Sequence, residues 1–331
     1  MNLIRSILHM LWMVLTVIPW ATAVLIAAPF ISGARLYWMC VGWLDVAVKG
    51  GHWILGIRNR VTGFENLPLG QKDPAVLLVK HQSTWETFCM PPLMPHPLAY
   101  VFKRELLSVP FFGWAMARLD MIHIDRGRRI ESFAKVVQQG RRLLGQGVWV
   151  IMFPEGTRIP RGEKGVYRSS GTRLAIECGV PVIPIAVTSA RCWPRKAFVK
   201  KPGIVDISIG PAIPSQGRKP DELMREVEAW IETEMLRLDP EAYPSGQHLA
   251  LVTAMGITGA PHSMASRVPP DRYLPFSPRG MRVPSGNMMT HTPWSISRLP
   301  CCTTLLKAAA RWLRSMWIMS SRPIAQPKKG T

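Results

Sequence analysis

Four residues separate His81 from Glu86 in the stretch KHQSTWETF, residues 80–88. An imidazole is a base near neutral pH, and a carboxylate beside it fixes the ring tautomer and stabilises the imidazolium that forms on proton uptake. A positioned base of this kind accelerates a reaction by about 10²–10⁴. The same two residues also occur together as ordinary structural polar groups, so the pair needs company. FPEGTR, residues 153–158, provides some. Its glycine, Gly156, lets backbone approach a ligand, Thr157 offers a hydroxyl, and Arg158 offers a planar fork that matches phosphate. Arg161, Lys164, Arg168 and Arg173 follow closely. A turn with a solvated basic face is the bland alternative. A third stretch, KRELLSVPFFGW at 103–114, is followed by MIHIDR at 121–126. Lys103 and Arg126 add cations there, and Glu105 is equally suited to pairing with Arg104 or Lys103.

Each stretch follows an apolar run that reads as a strand. AVLLV (75–79) is bounded by Pro74 and leads into His81. VWVIMF (148–153) follows the breakers Gly145 and Gly147 and leads into FPEGTR. Residues 98–102 and 121–124 are strand-like and precede Lys103 and Arg126. VPVIPIAV (180–187) and IVDISIG (204–210) complete the set. Helical stripes lie between them: Ile130, Phe133, Val137 and Leu144 form one, a helix around 169–178 ends at Gly179, and Pro220 opens another with Leu223, Val227, Trp230 and Ile231 on one face. Ser83 or Thr84 is suited to cap a helix that begins with Glu86 in its first turn. Alternating strands and helices predict an α/β fold, a mixed central sheet flanked by helices, with sites at the carboxyl ends of its strands.

The rest of the chain bears on location. At 331 residues it is long enough for about two domains. The net charge is +20 with 47% hydrophobic residues. A basic, apolar chain suits a surface of anionic headgroups or an anionic substrate. No zinc-finger pattern, RNP-type aromatic motif or basic heptad region points to nucleic acid. Six cysteines without a C-x-x-C pair suggest neither a disulfide framework nor a zinc site, and fit a reducing, cytosol-facing body. Ser6 to Ala34 contains no charged residue, and the run between Arg5 and Arg35 is long enough to enter a bilayer. Residues 36–58, with Trp38, Trp43 and Trp53, read equally as an interfacial helix or as an ordinary core helix. The expected organisation is 1–60 as membrane-inserted and interfacial helices, 61–238 as the catalytic body, and 239–331 as a basic, proline-rich tail with little order. That tail holds 12 prolines and 11 Lys/Arg against three Asp/Glu, with one basic amphipathic stretch at 303–319.

Four blocks in order resemble the bacterial 1-acyl-glycerol-3-phosphate acyltransferases of the glycerolipid acyltransferase superfamily. They are His81 to Glu86; Lys103, Glu105, Leu106, Pro110 and Gly113; Phe153 to Arg158; and Val180 to Val187 with Pro181 and Pro184. The resemblance spans about residues 60–238. Two positions depart from it: Glu86 stands where the family usually has aspartate, and Ile159 where it has serine. The resemblance implies acyl transfer from acyl-CoA or acyl carrier protein to the 2-hydroxyl of 1-acyl-sn-glycerol-3-phosphate (lysophosphatidic acid), giving phosphatidic acid. It implies His81 as the base and Glu86 as its orienting partner. Lys103, Arg126 and Arg158 would hold the phosphate in a pocket shaped by Glu155, Gly156 and Thr157. A thioester is already activated, so no cofactor or metal is expected. The implied partners are membrane lipids, the thioester donor and lysophosphatidic acid, at the inner (cytoplasmic) membrane with the site facing the cytoplasm. The rival readings are a related acyltransferase with another acceptor, a hydrolase, and a non-catalytic membrane-binding protein. Neither a G-x-S-x-G elbow nor an H-E-x-x-H zinc motif supports the hydrolase.

Overall fold

Unbroken apolar runs require burial on both faces, which a parallel sheet covered by helices supplies. VLLV of β2 (Val76–Val79), WVIM of β5 (Trp149–Met152) and VIPIAV of β6 (Val182–Val187) are buried at every residue. The computed structural model describes residues 1–70, 73–108, 112–124 and 129–243. Its sheet has seven strands in the order β1-β7-β6-β2-β5-β3-β4. The others are β1 (Ile57–Thr62), β3 (Leu98–Lys103), β4 (Ile122–Ile124) and β7 (Gly203–Ile209). All neighbours run parallel except β6 and β7, so the sheet is mixed, as the alternation predicts.

This order decides where the chemistry collects. β6, β2, β5 and β3 are successive parallel neighbours, so their carboxyl ends form one row. Thr188–Ser189, His81, FPEGTR and Lys103 each begin where one of those strands stops. Helices α5 (Arg129–Gly145), α6 (Ser170–Cys178) and α7 (Pro220–Leu238) cover one face, with Val136, Leu143, Leu174, Leu223 and Val227 packed on Val76, Leu78 and Val150. Helix α3 (Trp85–Leu93) covers the other, through Trp85, Cys89 and Met90. The short helix α4 (Phe112–Arg118) lies between β3 and β4 in sequence.

The amino-terminal segment forms a helical hairpin. Helix α1 (Asn2–Ala27) runs out, and α2 (Gly33–Gly50) returns against it. Two indoles set the contact: Trp20 lies over Gly42 and Trp12 over Gly50, where an added Cβ would come within 2.7 Å and 2.3 Å of the rings. Their N–H groups donate to the Met39 and Val46 carbonyls. α2 is built into the body, since Tyr37, Val41 and Val48 join the core beneath α3. The core-helix reading of residues 36–58 therefore describes α2, and residues 57–58 belong to the sheet. α1 is different. Leu3, Ile4, Ile7, Leu8, Leu11 and Leu15 form an exposed apolar stripe along it, and it is long and apolar enough to cross a membrane by length and composition.

The body overruns the expected boundaries at both ends. β1 begins at Ile57, ahead of residue 61, because its six residues pair in register with β7 from Ile57↔Gly203 to Thr62↔Ser208. IRNRVT lacks an apolar run because β1 is an edge strand, and edges tolerate charge. At the other end Asp239 is 1% exposed, and Tyr243 is buried as well. Asp239 receives two hydrogen bonds of 2.7 Å from Arg161 and one of 2.9 Å from Arg191. The expected helical stretch at 303–319 lies outside the described residues. A chain ending at Leu238 is expected to melt about 5–10 °C below one ending at Tyr243, since it loses the Asp239 clasp and a buried tyrosine. Thermal unfolding of the two truncations checks this, and equal melting temperatures would place the boundary at 238.

Candidate active site

Period-two alternation at the end of β2 sends Lys80 and His81 to opposite faces. Lys80 turns toward α7 and is fully buried. Its ammonium lies 2.8 Å from Glu155 Oε1 and 2.6 Å from Glu232 Oε1, both carboxylates being equally buried. The Tyr167 hydroxyl donates to Glu232 at 2.7 Å. Burial raises the Glu155 pKa, and Lys80 opposes the rise. Glu155 Oε2 also accepts the His81 backbone N–H at 3.1 Å, and the Ile159 N–H donates to the His81 carbonyl at 2.8 Å. The His81 peptide is thus stitched on both sides to the FPEGTR loop. Gly165 allows its own N–H to reach Glu155 Oε1, since a Cβ there would fall 2.7 Å from that oxygen. Glu155 therefore faces inward, under the loop, with its carboxylate committed to Lys80 and two backbone amides.

His81 itself turns toward α3. Its ring stacks on Phe153 with centroids 3.9 Å apart and planes 19° from parallel. Nδ1 stands 4.0 Å from Glu86 Oε2, too far for a hydrogen bond. Glu86 lies in the first turn of α3, as expected, and Ser83 Oγ accepts the Trp85 N–H at 3.0 Å. Ser83-Thr84-Trp85-Glu86 has the spacing of a capping box, and Glu86 uses it. Its carboxylate accepts the Gln82 N–H at 2.8 Å, the Ser83 N–H at 3.1 Å, and the Ser189 hydroxyl at 2.6 Å. Burial pushes this carboxyl up to about 7 against those three donors. Burial, then the charges of Arg158 and Arg195, push the His81 imidazole down to about 3.

Arg158 is half-buried and donates to Thr84 Oγ1 at 2.8 Å, which lays its guanidinium across the start of α3 beside the His81–Glu86 pair. Gly156 adopts φ 64° and closes the turn by donating to the Phe153 carbonyl at 2.9 Å. In that conformation a side chain is strained. Thr157 is half-buried in the same loop. Lys103 ends β3, the strand next to β5, so its backbone lies on the FPEGTR side of the row. Arg126 lies outside the described residues.

Three contributors escaped the sequence reading: Ser189, Arg195 and Lys80. Ser189 sits in a single helical turn after β6, over one hundred residues from Glu86. The strand that delivers it was legible, but the neighbour it meets was not. Arg191, two residues on, bonds to Asp239 with Arg161, so one carboxylate ties the Ser189 loop to the loop after Arg158. The arrangement provides a buried base, a carboxylate to balance its charge, and a guanidinium to hold an anion. Those are the parts needed to move an acyl group to a hydroxyl on an anionic acceptor.

A family model described as Acyltransferase matches residues 58–188. The 1-acyl-sn-glycerol-3-phosphate acyltransferase of Pseudomonas aeruginosa is 40% identical over 241 residues, covering 72% of this chain and 92% of that one. The human 1-acyl-sn-glycerol-3-phosphate acyltransferase alpha is 30% identical over 174 residues, 52% of this chain and 60% of its own. Among solved structures, the 1-acyl-sn-glycerophosphate (LPA) acyltransferase of Thermotoga maritima has the same fold, with a TM-score of 0.60 at 22% identity, over 72% of this chain and 98% of that one.

Lys80→Met leaves Glu155 and Glu232 buried without a cation and is expected to destabilise the protein by about 3–5 kcal/mol. Adding Glu232→Gln should recover part of the loss. Melting curves of the single and double variants check both statements, and an unchanged curve for Lys80→Met would remove the triad from the account.

Proposed function

Since this chain belongs to the family of 1-acyl-sn-glycerol-3-phosphate acyltransferases, we propose that it acylates the 2-hydroxyl of 1-acyl-sn-glycerol-3-phosphate to make phosphatidic acid. It is an acyltransferase, and His81 is its base. The observation that carries the assignment of roles is the His81 ring, pinned on Phe153 between a buried carboxylate and the Arg158 guanidinium. The free imidazole nitrogen takes the hydroxyl proton as the acceptor oxygen attacks the thioester carbonyl. The C–S bond of the tetrahedral intermediate then breaks, and the imidazolium returns its proton to the departing thiolate. Acyl-CoA or acyl carrier protein supplies the thioester. Glu86 balances the transient positive charge, and Ser189 with the Gln82 and Ser83 amides holds Glu86 still.

Arg158 holds the acceptor phosphate, with Lys103, Arg126 and Arg195 as further cations and with Gly156 and Thr157 shaping the loop. Burial first, and then the charges of Arg158 and Arg195, lower the basicity of the His81 imidazole. A bound phosphate dianion cancels those charges. Acceptor binding therefore offsets the coulombic part of the lowering, while burial, its larger cause, remains.

The apolar stripe of α1 lies in lipid, at the inner membrane with the site facing the cytoplasm. Helix α2 stays in the core of the body, so the exposed face of α1 enters lipid without carrying the body across. Free thiols at Cys40, Cys89, Cys178 and Cys192 suit a reducing side.

His81→Ala is expected to abolish transfer while the variant still folds and binds membrane. Normal turnover would overturn the mechanism. Glu86→Gln should lower kcat by about 10²–10⁴. The pH profile gives a second test. Glu86 is pushed up to about 7 and is needed ionised, while His81 is neutral above about 3. As pH falls through 7 the Glu86 carboxylate takes up a proton, so wild-type kcat/KM should fall with acidity. Glu86→Gln has no such group to titrate, and comparison on one acceptor cancels the phosphate's own titration. Identical acid limbs in the two proteins would clear Glu86 of the role. Arg158→Ala should raise KM for lysophosphatidic acid at least tenfold, and lower kcat less. Assays against glycerol-3-phosphate and lysophosphatidylcholine separate the related acceptors.

A further inference from the structure

The loop after Ser189 carries more cations than Arg195, the one that the transfer reaction uses. Residues 193–202 read WPRKAFVKKP, with four cations and no acidic residue. The Ala197 N–H donates to the Pro194 carbonyl at 3.2 Å, and Lys196 between them adopts φ 64°, a conformation that a lysine rarely takes. This turn pushes Lys196, Phe198 and Val199 outward. Phe198 is 39% exposed and Val199 38%. Lys196 and Lys201 on either side are exposed, and neither has an ion pair among the described residues. The Lys200 ammonium lies 4.7 Å from the Trp193 ring centre and 5.1 Å from that of Phe198, so its stem follows the aromatic surface to the edge.

The loop's height relative to α1 is set by one bond. The Lys200 backbone N–H donates to the buried Ser6 Oγ at 2.9 Å, and His9 meets Trp193 edge to face with centroids 5.6 Å apart. The loop thus sits against the first turns of α1 on the buried face that carries Ser6 and His9, while the exposed apolar stripe, beginning at Leu3 and Ile4, lies on the other face of the helix. Exposed Arg58, two residues past the Gly56 carbonyl that accepts the Gly203 N–H, joins the same end of the molecule.

We propose that Lys196–Lys201 is a second membrane contact, in which Phe198 and Val199 enter the interface while Lys196 and Lys201 bind the headgroups of anionic phospholipids. The proposal rests on the reading that α1 lies in lipid, because α1 supplies the depth. Four cations without an acidic residue, flanking two exposed apolar side chains, match an anionic lipid interface, and an acidic protein such as a carrier is the alternative outcome of the test. The loop also leads back through Trp193 to Ser189 and Glu86, so headgroup binding steadies the element that holds the catalytic carboxylate.

The test uses the full chain and vesicles of phosphatidylcholine alone or with phosphatidylglycerol at about one third. Wild type should partition more strongly onto the anionic vesicles, and 0.5 M NaCl should remove the difference. Lys196→Gln/Lys201→Gln should reduce the anionic partition by about 30-fold, roughly fivefold per lysine, with binding to neutral vesicles and turnover of a detergent-dispersed acceptor unchanged. A separate α1 variant, Leu8→Gln/Leu11→Gln, should weaken binding to both vesicle types alike, which tests the α1 reading on its own. Equal wild-type partition onto the two vesicle types would overturn the loop proposal and leave α1 untouched. So would a loop variant that keeps the anionic preference but loses transfer from acyl carrier protein, which would assign the loop to the carrier instead.

Discussion

A lysine with no access to water, directly before His81, the proposed base, is the constraint from which the site is built. An unpaired ammonium inside a protein is prohibitive, so Lys80 requires a carboxylate at the end of β2. Glu155 meets that requirement from the loop after β5, and Glu232 from α7. Because Glu155 has a second oxygen, the same carboxylate also takes the His81 amide. One buried charge therefore sets the distance between the two loops that carry the base and the anion-binding arginine. Glu155 serves the phosphate loop by shaping it from below.

The second constraint is the capping geometry of α3. A carboxylate at its first turn has amides at Gln82 and Ser83 to receive, and a glutamate reaches them while still facing the imidazole at 4.0 Å. The extra methylene relative to aspartate is accommodated by folding Glu86 back onto the helix start. The cost is a base–carboxylate contact longer than a hydrogen bond. Ser189 then fixes the carboxylate from a neighbouring strand, and Asp239 clasps the Ser189 loop to the loop beyond Arg158. The pair acts within a frame drawn from β2, β5, β6 and the end of α7.

Location and chemistry are joined through the same frame. α2 is a core helix that also pairs with α1 through glycines beneath indoles, so the apolar hairpin cannot shift without disturbing α3, on which Glu86 sits. The 193–202 loop links Ser6 on α1 to Ser189 in the site. Two covalently distant paths thus connect the apolar surface of α1 to the Glu86 carboxylate.

The sequence by itself determined which strands would be buried on both faces, since VLLV, WVIM and VIPIAV admit no other environment, and hence that the loops after them would share one edge. It singled out His81, Glu86 and the arginine-bearing turn as the proposed base, carboxylate and anion site, because their residue types and order are local. The edge strand β1 was hidden because IRNRVT pairs along one side only and needs no apolar run. The extension of the body past Leu238, as far as Tyr243 among the described residues, was hidden because Asp239 is held by side chains far away in sequence. Tertiary structure alone decided that Glu155 turns inward to Lys80, that Ser189 reaches Glu86, and that Arg195 adds its charge to that of Arg158. Each of those contacts joins segments separated by tens of residues or more. The strand order that brings them together follows from packing the whole sheet, which no local pattern encodes.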